Sequence, residues 1–128
     1  MDEKISLNEK IFIAGSGGMV GSSIYRELIK NGYGKEEFDG FLLTPKRNKL
    51  NLLNENEVEL WFKINKPTIV IIAAAKVGGI LANSTYPYDF LLENLKIQNN
   101  IIHSSFKNGV KRLLFLSLIH ISEPTRPN

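Results

Sequence analysis

A glycine-rich turn directly after a short apolar run constrains this chain more than any other feature. Residues 10–21 read K-I-F-I-A-G-S-G-G-M-V-G, and a helical pattern begins at once. An apolar run without alternation is typical of a strand that is buried on both faces of a parallel sheet. The order of strand, glycine turn and helix predicts the start of a βαβ unit whose backbone amides can bind a phosphate.

The glycines follow the pattern Gly15-x-x-Gly18-x-x-Gly21, which is typical of dinucleotide-binding turns. The first permits the tight turn, the second lets the pyrophosphate approach, and the third lets the helix pack closely on the strand. We expect the cofactor to contact Gly15, Ser16, Gly17, Gly18, Met19, Val20 and Gly21. A plain tight turn is the alternative, whereas a Walker-type loop is disfavoured because Ser22 follows Gly21 where that motif has lysine.

The rest of the chain alternates strand-like and helical segments. Strands are predicted at residues 40–43, 51–53, 68–74 and 110–116, and helices at 19–30 and 89–107. A further helix is predicted between a cap at Asn54 and a break at Lys66-Pro67. Because parallel strands are joined by crossover helices, this order predicts an α/β fold with a Rossmann-like, doubly wound parallel sheet. The last helix has apolar residues on two sides, so we expect more than the sheet to cover it.

The composition argues against several other kinds of protein. The net charge of +3 comes without a basic stripe, so nucleic acid is not an expected partner. The absence of cysteine excludes disulfides and thiolate metal sites, and we expect no metal. No apolar run approaches the roughly 20 residues that a membrane helix needs, and the charged start does not resemble a signal peptide. We therefore expect a cytoplasmic protein without a membrane partner.

The loop after the second predicted strand distinguishes two nicotinamide cofactors. It carries Lys46, Arg47 and Lys49, and no acidic residue lies between Phe41 and Asn54. An acidic residue there would bind the ribose 2′-hydroxyl of NAD, whereas a basic one accommodates the 2′-phosphate of NADP. The sequence favours NADP, with a solvated run of charge as the alternative interpretation.

Several segments together resemble one family of enzymes. They are the glycine turn, A-A-A-K-V-G-G-I-L-A-N-S-T-Y-P from Ala73, E-N-L-x-I-Q-x-N-I-I-H from Glu93, and G-V-K-R-L-L-F-L from Gly109. Over residues 10 to about 116 the chain resembles the GDP-L-fucose synthases, which are extended short-chain dehydrogenase/reductases of the NAD-dependent epimerase/dehydratase family. The resemblance implies that NADP is the cofactor and that the full-length protein acts on a GDP-sugar. The implied reaction converts GDP-4-keto-6-deoxy-D-mannose to GDP-L-fucose by C3/C5 epimerisation and C4 reduction.

The resemblance also implies roles for individual residues. Arg47 would lie near the 2′-phosphate, and Asn51 and Leu52 would lie by the adenine. Small residues at the end of a strand would let it approach the cofactor ribose, namely Ala73, Ala74 and Ala75. The loop over residues 77–87 would border the nicotinamide and the sugar, and the helix over 89–107 would form a homodimer.

The chain departs from the family pattern in three places. Ser16-Gly17 stands where many members carry histidine and a basic residue, and Asn51 stands where aspartate is common. Residues 117–128 lack the expected Ser-Ser-Cys segment and match nothing in the family, so we expect them to be an artefactual tail. The Tyr-x-x-x-Lys pair and the catalytic histidine are also missing.

These departures predict how the chain is organised. We expect a polar lead-in over residues 1–9, an incomplete NADP-binding domain over 10–116 and a foreign tail. Such an N-terminal fragment would contain no catalytic residues and would have no turnover. Two alternatives remain, which are another nucleotide-sugar epimerase/dehydratase and a non-catalytic NADP-binding module.

Overall fold

The computed structural model describes residues 5–15, 18–46, 48–74 and 88–117, and these form a parallel sheet with helices on both faces. The strands are β1 (Lys10–Ala14), β2 (Phe41–Leu43), β3 (Ile69–Ala74) and β4 (Arg112–Ser117). The helices are α1 (Met19–Lys30), α2 (Glu55–Asn65) and α3 (Tyr88–Lys107), with a 3₁₀ turn over Glu36–Phe38. The strand order in the described sheet is β2-β1-β3-β4, and every neighbouring pair is parallel. The predicted Rossmann-like α/β fold is confirmed.

The two central strands, β1 and β3, are buried on both faces. One face carries Phe12, Ala14, Val70 and Ile72, which pack with Val58 and Phe62 of α2 and Ile101 of α3. The other face carries Ile11, Ile13, Ile69 and Ile71, which pack with Ile24 and Leu28 of α1. Because each face needs apolar residues, the two strands read as continuous apolar runs without alternation.

The ends of the helices follow the signals in the sequence. The chain leaves α1 through Gly32, whose φ of +94° lies in the left-handed region that glycine tolerates. The side chain of Asn54 caps α2 by accepting a hydrogen bond from the Glu57 amide at 3.0 Å. The Lys107 ammonium then joins α3 to α2 through the Glu59 carboxylate, 2.7 Å away.

One predicted strand is absent and another begins later than predicted. Residues 51–53 form a turn instead of a strand, because Asn51 bonds locally: its side-chain oxygen accepts from the Leu53 amide at 3.0 Å. The last strand begins at Arg112 instead of residue 110. The Val110 amide donates to the Ser105 carbonyl at 3.1 Å, so this residue takes part in the hydrogen bonds that close the end of α3.

Thr68 joins the amino-terminal ends of three strands. Its hydroxyl accepts from the Lys10 amide at 2.9 Å and donates to the Lys10 carbonyl at 3.1 Å, while its own carbonyl accepts from the Lys111 amide at 2.8 Å. The Lys111 ammonium lies 3.1 Å from the Glu9 carboxylate. A hydrogen bond with Thr68, and a smaller contribution from one with Lys111, lower the pKa of Glu9 below its ordinary value. Partial burial opposes this shift.

Candidate cofactor-binding site

The strand order changes direction beside β1. The chain goes from β1 to β2 on one side and then crosses to β3 on the other side. In open α/β sheets a ligand binds in the crevice outside the carboxyl ends of the strands at such a point. Gly15 directly follows β1 and Ala73 lies near the end of β3, so the crevice is lined by two segments that the sequence singled out.

Gly15 lies directly against the backbone of β3. Its φ is +91°, and a Cβ at this position would be 2.7 Å from the Ala73 carbonyl oxygen. Ala73 itself is 7% exposed, and its carbonyl belongs to a strand paired on both sides. A side chain at position 15 therefore has no room, which leaves bare backbone at the mouth of the crevice.

The amino-terminal end of α1 presents backbone amides to the same crevice. Gly18 is the N-cap, and the first intrahelical bond runs from the Ser22 amide to the Gly18 carbonyl at 2.9 Å. The amides of residues 19–21 therefore have no acceptor within the helix. Gly18 has no side chain that could cap them, and the first turn of α1 carries no acidic residue. In α2, by contrast, Asn54 provides a cap and acidic residues occupy the first turn.

This arrangement fits the pyrophosphate of a dinucleotide. The amides and the positive end of the helix dipole attract an anion, and the absence of a side chain at Gly15 lets it approach the backbone. Gly21 is buried in the first turn of α1, a position at which glycine allows close packing of a helix on a sheet. These residues would hold the phosphates, whereas the redox chemistry would come from the nicotinamide ring.

The basic loop after β2 carries two described lysines, and both are exposed. The Lys49 and Leu50 amides donate to the Lys46 carbonyl at 2.8 and 3.0 Å, which closes a tight turn. Leu50 anchors this turn because its side chain is only 3% exposed. Because both lysines are exposed, their ammonium groups can approach a phosphate.

Asn51 and Leu52, which the resemblance assigns to the adenine side, lie in the turn before α2. Asn51 is exposed, and Leu52 packs against the buried cluster beneath it. The side chain of Asn100 on α3 donates to the Leu52 carbonyl at 2.8 Å. Sequence patterns do not single out Asn100, because a polar side chain on an amphipathic helix is expected to face solvent.

Some predicted site residues lie outside the described part of the chain. They are Ser16, Gly17, Arg47 and Ala75, together with the side chains of Met19 and Ala74 and the loop over residues 77–87. His103 is exposed on α3. Among the described residues, no group of three or more His, Asp or Glu side chains is arranged to hold a metal ion. In the same ranges, no helix combines the length and the apolar character needed to cross a membrane.

Comparison with known proteins agrees with this geometry. Residues 11–121 match the model of the NAD dependent epimerase/dehydratase family. GDP-L-fucose synthase 1 of Arabidopsis thaliana is 50% identical over 107 residues, which cover 84% of this chain and 31% of the plant protein. GDP-L-fucose synthase of Escherichia coli K12 is 46% identical over 108 residues, covering 84% of this chain and 32% of the bacterial protein.

Solved structures give the same result. A GDP-mannoheptose C4 reductase from Campylobacter jejuni, solved with NADP bound, superposes with a TM-score of 0.72 at 39% identity. The match covers 88% of this chain and 33% of the reductase. The chain thus spans about a third of the length of the relatives it matches. Since the family model matches most of its residues, the chain belongs to the NAD dependent epimerase/dehydratase family.

Proposed function

We propose that this chain is the NADP-binding part of a GDP-L-fucose synthase. The complete enzyme would convert GDP-4-keto-6-deoxy-D-mannose to GDP-L-fucose by epimerising C3 and C5 and reducing C4. A bound NADPH would supply the hydride for the reduction. The observation that carries the proposal is the crevice between β1 and β3, where Gly15 leaves bare backbone and α1 presents uncapped amides.

The preference for NADP over NAD rests on charge in the loop after β2. Lys46 and Lys49 are exposed on a tight turn beside β2, and Arg47 lies between them in the sequence. A 2′-phosphate carries up to two negative charges that these side chains can bind, and the loop lacks the carboxylate that would bind a free ribose hydroxyl. A reductase relative at 39% identity has been solved with NADP bound, which supports the same choice.

Calorimetric titration of the chain with NADPH and NADH tests the proposal. We expect NADPH to bind at least about tenfold more tightly, because one charge-assisted hydrogen bond contributes roughly 1.5–3 kcal/mol. The variant Lys46→Gln should reduce this preference, whereas Lys35→Gln, an exposed lysine before β2, should leave it unchanged. Binding of neither cofactor would contradict the proposed function, and equal binding would contradict the role of the basic loop.

The 128 residues alone should have no turnover, because they lack the Tyr-x-x-x-Lys pair of the family. Oxidation of NADPH with GDP-4-keto-6-deoxy-D-mannose would overturn this expectation. A second candidate is a C4 reductase for a GDP-heptose, since two such enzymes from C. jejuni match the chain at 39% and 40% identity. Giving GDP-4-keto-6-deoxy-D-mannose and, separately, a 4-keto GDP-heptose to the full-length protein distinguishes the two functions.

We also propose that two copies of the protein pair through α3. The helix exposes large apolar side chains: Leu95 is 51% exposed, Ile102 40% and Phe106 89%. Exposed apolar residues on one long helix favour association, and a second α3 would offer matching surface. Sedimentation of the full-length protein tests this pairing. The variant Phe106→Glu should shift a dimer towards monomer, and a monomeric wild-type protein would refute it.

A further inference from the structure

A single side chain ties the long helix α3 to the turn that precedes α2. The Asn100 amide nitrogen donates to the Leu52 carbonyl oxygen at 2.8 Å, across 48 residues of sequence. Both residues are half-buried, so water competes less for this bond than for one at the surface. The bond fixes the position of a loop residue relative to a helix that is remote in the chain.

The other hydrogen bonds of this turn, residues 51–54, are local. The Asn51 amide donates to the Glu57 carboxylate at 2.6 Å, and the Leu53 amide donates to the Asn51 side chain at 3.0 Å. The Asn54 amide donates to the Asn51 carbonyl at 3.0 Å. These bonds set the internal shape of the turn and join it to α2. The bond from Asn100 joins the turn directly to α3.

The turn packs on the same apolar cluster as the carboxyl ends of β1 and β2. Leu50 belongs to the same buried cluster as Ala14, the last residue of β1, and Leu52 and Leu43 pack against that cluster. Leu43 is the last residue of β2. In a doubly wound sheet the pyrophosphate lies at the β1 turn and the adenosine ribose at the end of β2. The turn over residues 51–54 is therefore next to the adenosine half of a bound dinucleotide.

We propose that Asn100 is a positioning residue for the adenosine half of the cofactor. The inference rests on the proposed function, because it assumes that a dinucleotide binds in this crevice. Asn100 occupies the Leu52 carbonyl and keeps the turn at a fixed distance from α3, so that its exposed edge can lie against the base. Without the amide donor the half-buried carbonyl has no partner from α3, and the turn can shift towards solvent.

The variant Asn100→Asp tests this role, because a carboxylate of the same shape accepts hydrogen bonds and cannot donate one to Leu52. The matched control is Asn99→Asp, which makes the same change of charge at the preceding, exposed position of α3. Adenosine 2′,5′-bisphosphate probes the adenosine half of the cofactor, and reduced nicotinamide mononucleotide probes the other half. NADPH probes the whole.

We expect Asn100→Asp to weaken binding of adenosine 2′,5′-bisphosphate and NADPH by about tenfold, the scale of one lost half-buried hydrogen bond. Affinity for the mononucleotide should stay within about twofold, and Asn99→Asp should change none of the three affinities by more than that. Equal weakening of both halves would assign Asn100 a general structural role and overturn the proposal. Unchanged affinity for the bisphosphate would do the same.

Two further measurements keep the test decisive. If Asn100→Asp fails to fold, Asn100→Ala removes the donor without adding charge, and the same outcomes apply. Amide hydrogen exchange at Leu53 and Asn54 should be faster in either folded variant than in the wild type, whereas exchange in β1 should not change. Failure of the wild-type chain to bind NADPH would refute the proposed function, whereas wild-type binding with an unaffected variant would refute only the role of Asn100.

Discussion

Replacing Gly15 with alanine should destabilise the protein through a contact that the structure defines. The residue has a φ of +91°, and its new Cβ would lie 2.7 Å from the Ala73 carbonyl oxygen, closer than real Cβ contacts. That carbonyl is part of β3, which is paired with β1 and with β4, so it cannot easily move away. The substitution therefore combines backbone strain with a steric clash.

The two contributions can be separated with Gly109→Ala. Gly109 has a similar φ of +72°, but a Cβ there would meet no atom within 4 Å. An alanine in the left-handed region costs roughly 1–2 kcal/mol, and about 0.4–1 kcal/mol is recovered because alanine restricts the unfolded chain. Gly109→Ala should thus lose about 1 kcal/mol. Gly15→Ala should lose a further 1–3 kcal/mol or so from the clash, a total of about 2–4 kcal/mol.

Urea unfolding followed by tryptophan fluorescence measures both losses, since Trp61 packs against Phe12 of β1 with ring centroids 4.6 Å apart. With a slope of roughly 1–3 kcal/mol per molar urea, an extra 2 kcal/mol lowers the midpoint by about 1 M. Gly15→Ala should also lose NADPH binding, which Gly109→Ala should keep. Equal free energies of unfolding for the two variants would show that β3 yields at Ala73, and would refute the rigid crevice inferred here.

Two other substitutions probe the framework around the site. Asn54→Ala removes the cap of α2 and should lower the free energy of unfolding by about 1 kcal/mol. The control Asn56→Ala, at an exposed position of the same helix, should change it by less than half of that. Similar losses for the two variants would contradict the capping role of Asn54. Since Thr68 and Lys111 lower the pKa of folded Glu9, its charge stabilises the protein above the unfolded-state pKa, and this contribution disappears as the pH falls through the folded-state pKa. Glu9→Gln should therefore be less stable than the wild type at pH 7 and equal to it in acid, and a difference independent of pH would contradict this linkage.

Sequence patterns predicted the local parts of the fold. The buried strands, the glycine turn, the cap at Asn54 and the break before Pro67 each depend on neighbouring residues, so spacing alone indicates them. The two leucines in residues 51–53 suggest a strand, which the structure does not form. The side chain of Asn51 instead accepts from the Leu53 amide, and such local bonds compete with strand pairing.

The longer-range contacts could not be read from the sequence. Asn100 and Leu52 are 48 residues apart, and Thr68 and Lys10 are 58 apart. No periodicity relates such pairs, because the order of strands in the sheet brings them together. The crevice itself was half predictable: the sequence indicated the turn at Gly15, but only the fold brings the Ala73 carbonyl against it.

The hydrogen bonds around Thr68 lie at the opposite end of the strands from the crevice. Three strands are joined at their beginnings, whereas the site is built where β1 and β3 end. Substitutions of the exposed Lys46 and Lys49, which would alter the preference for a cofactor, therefore fall on residues outside these hydrogen bonds. A library that randomises Lys46 and Lys49 to change the cofactor would leave the bonds that join the beginnings of the three strands intact.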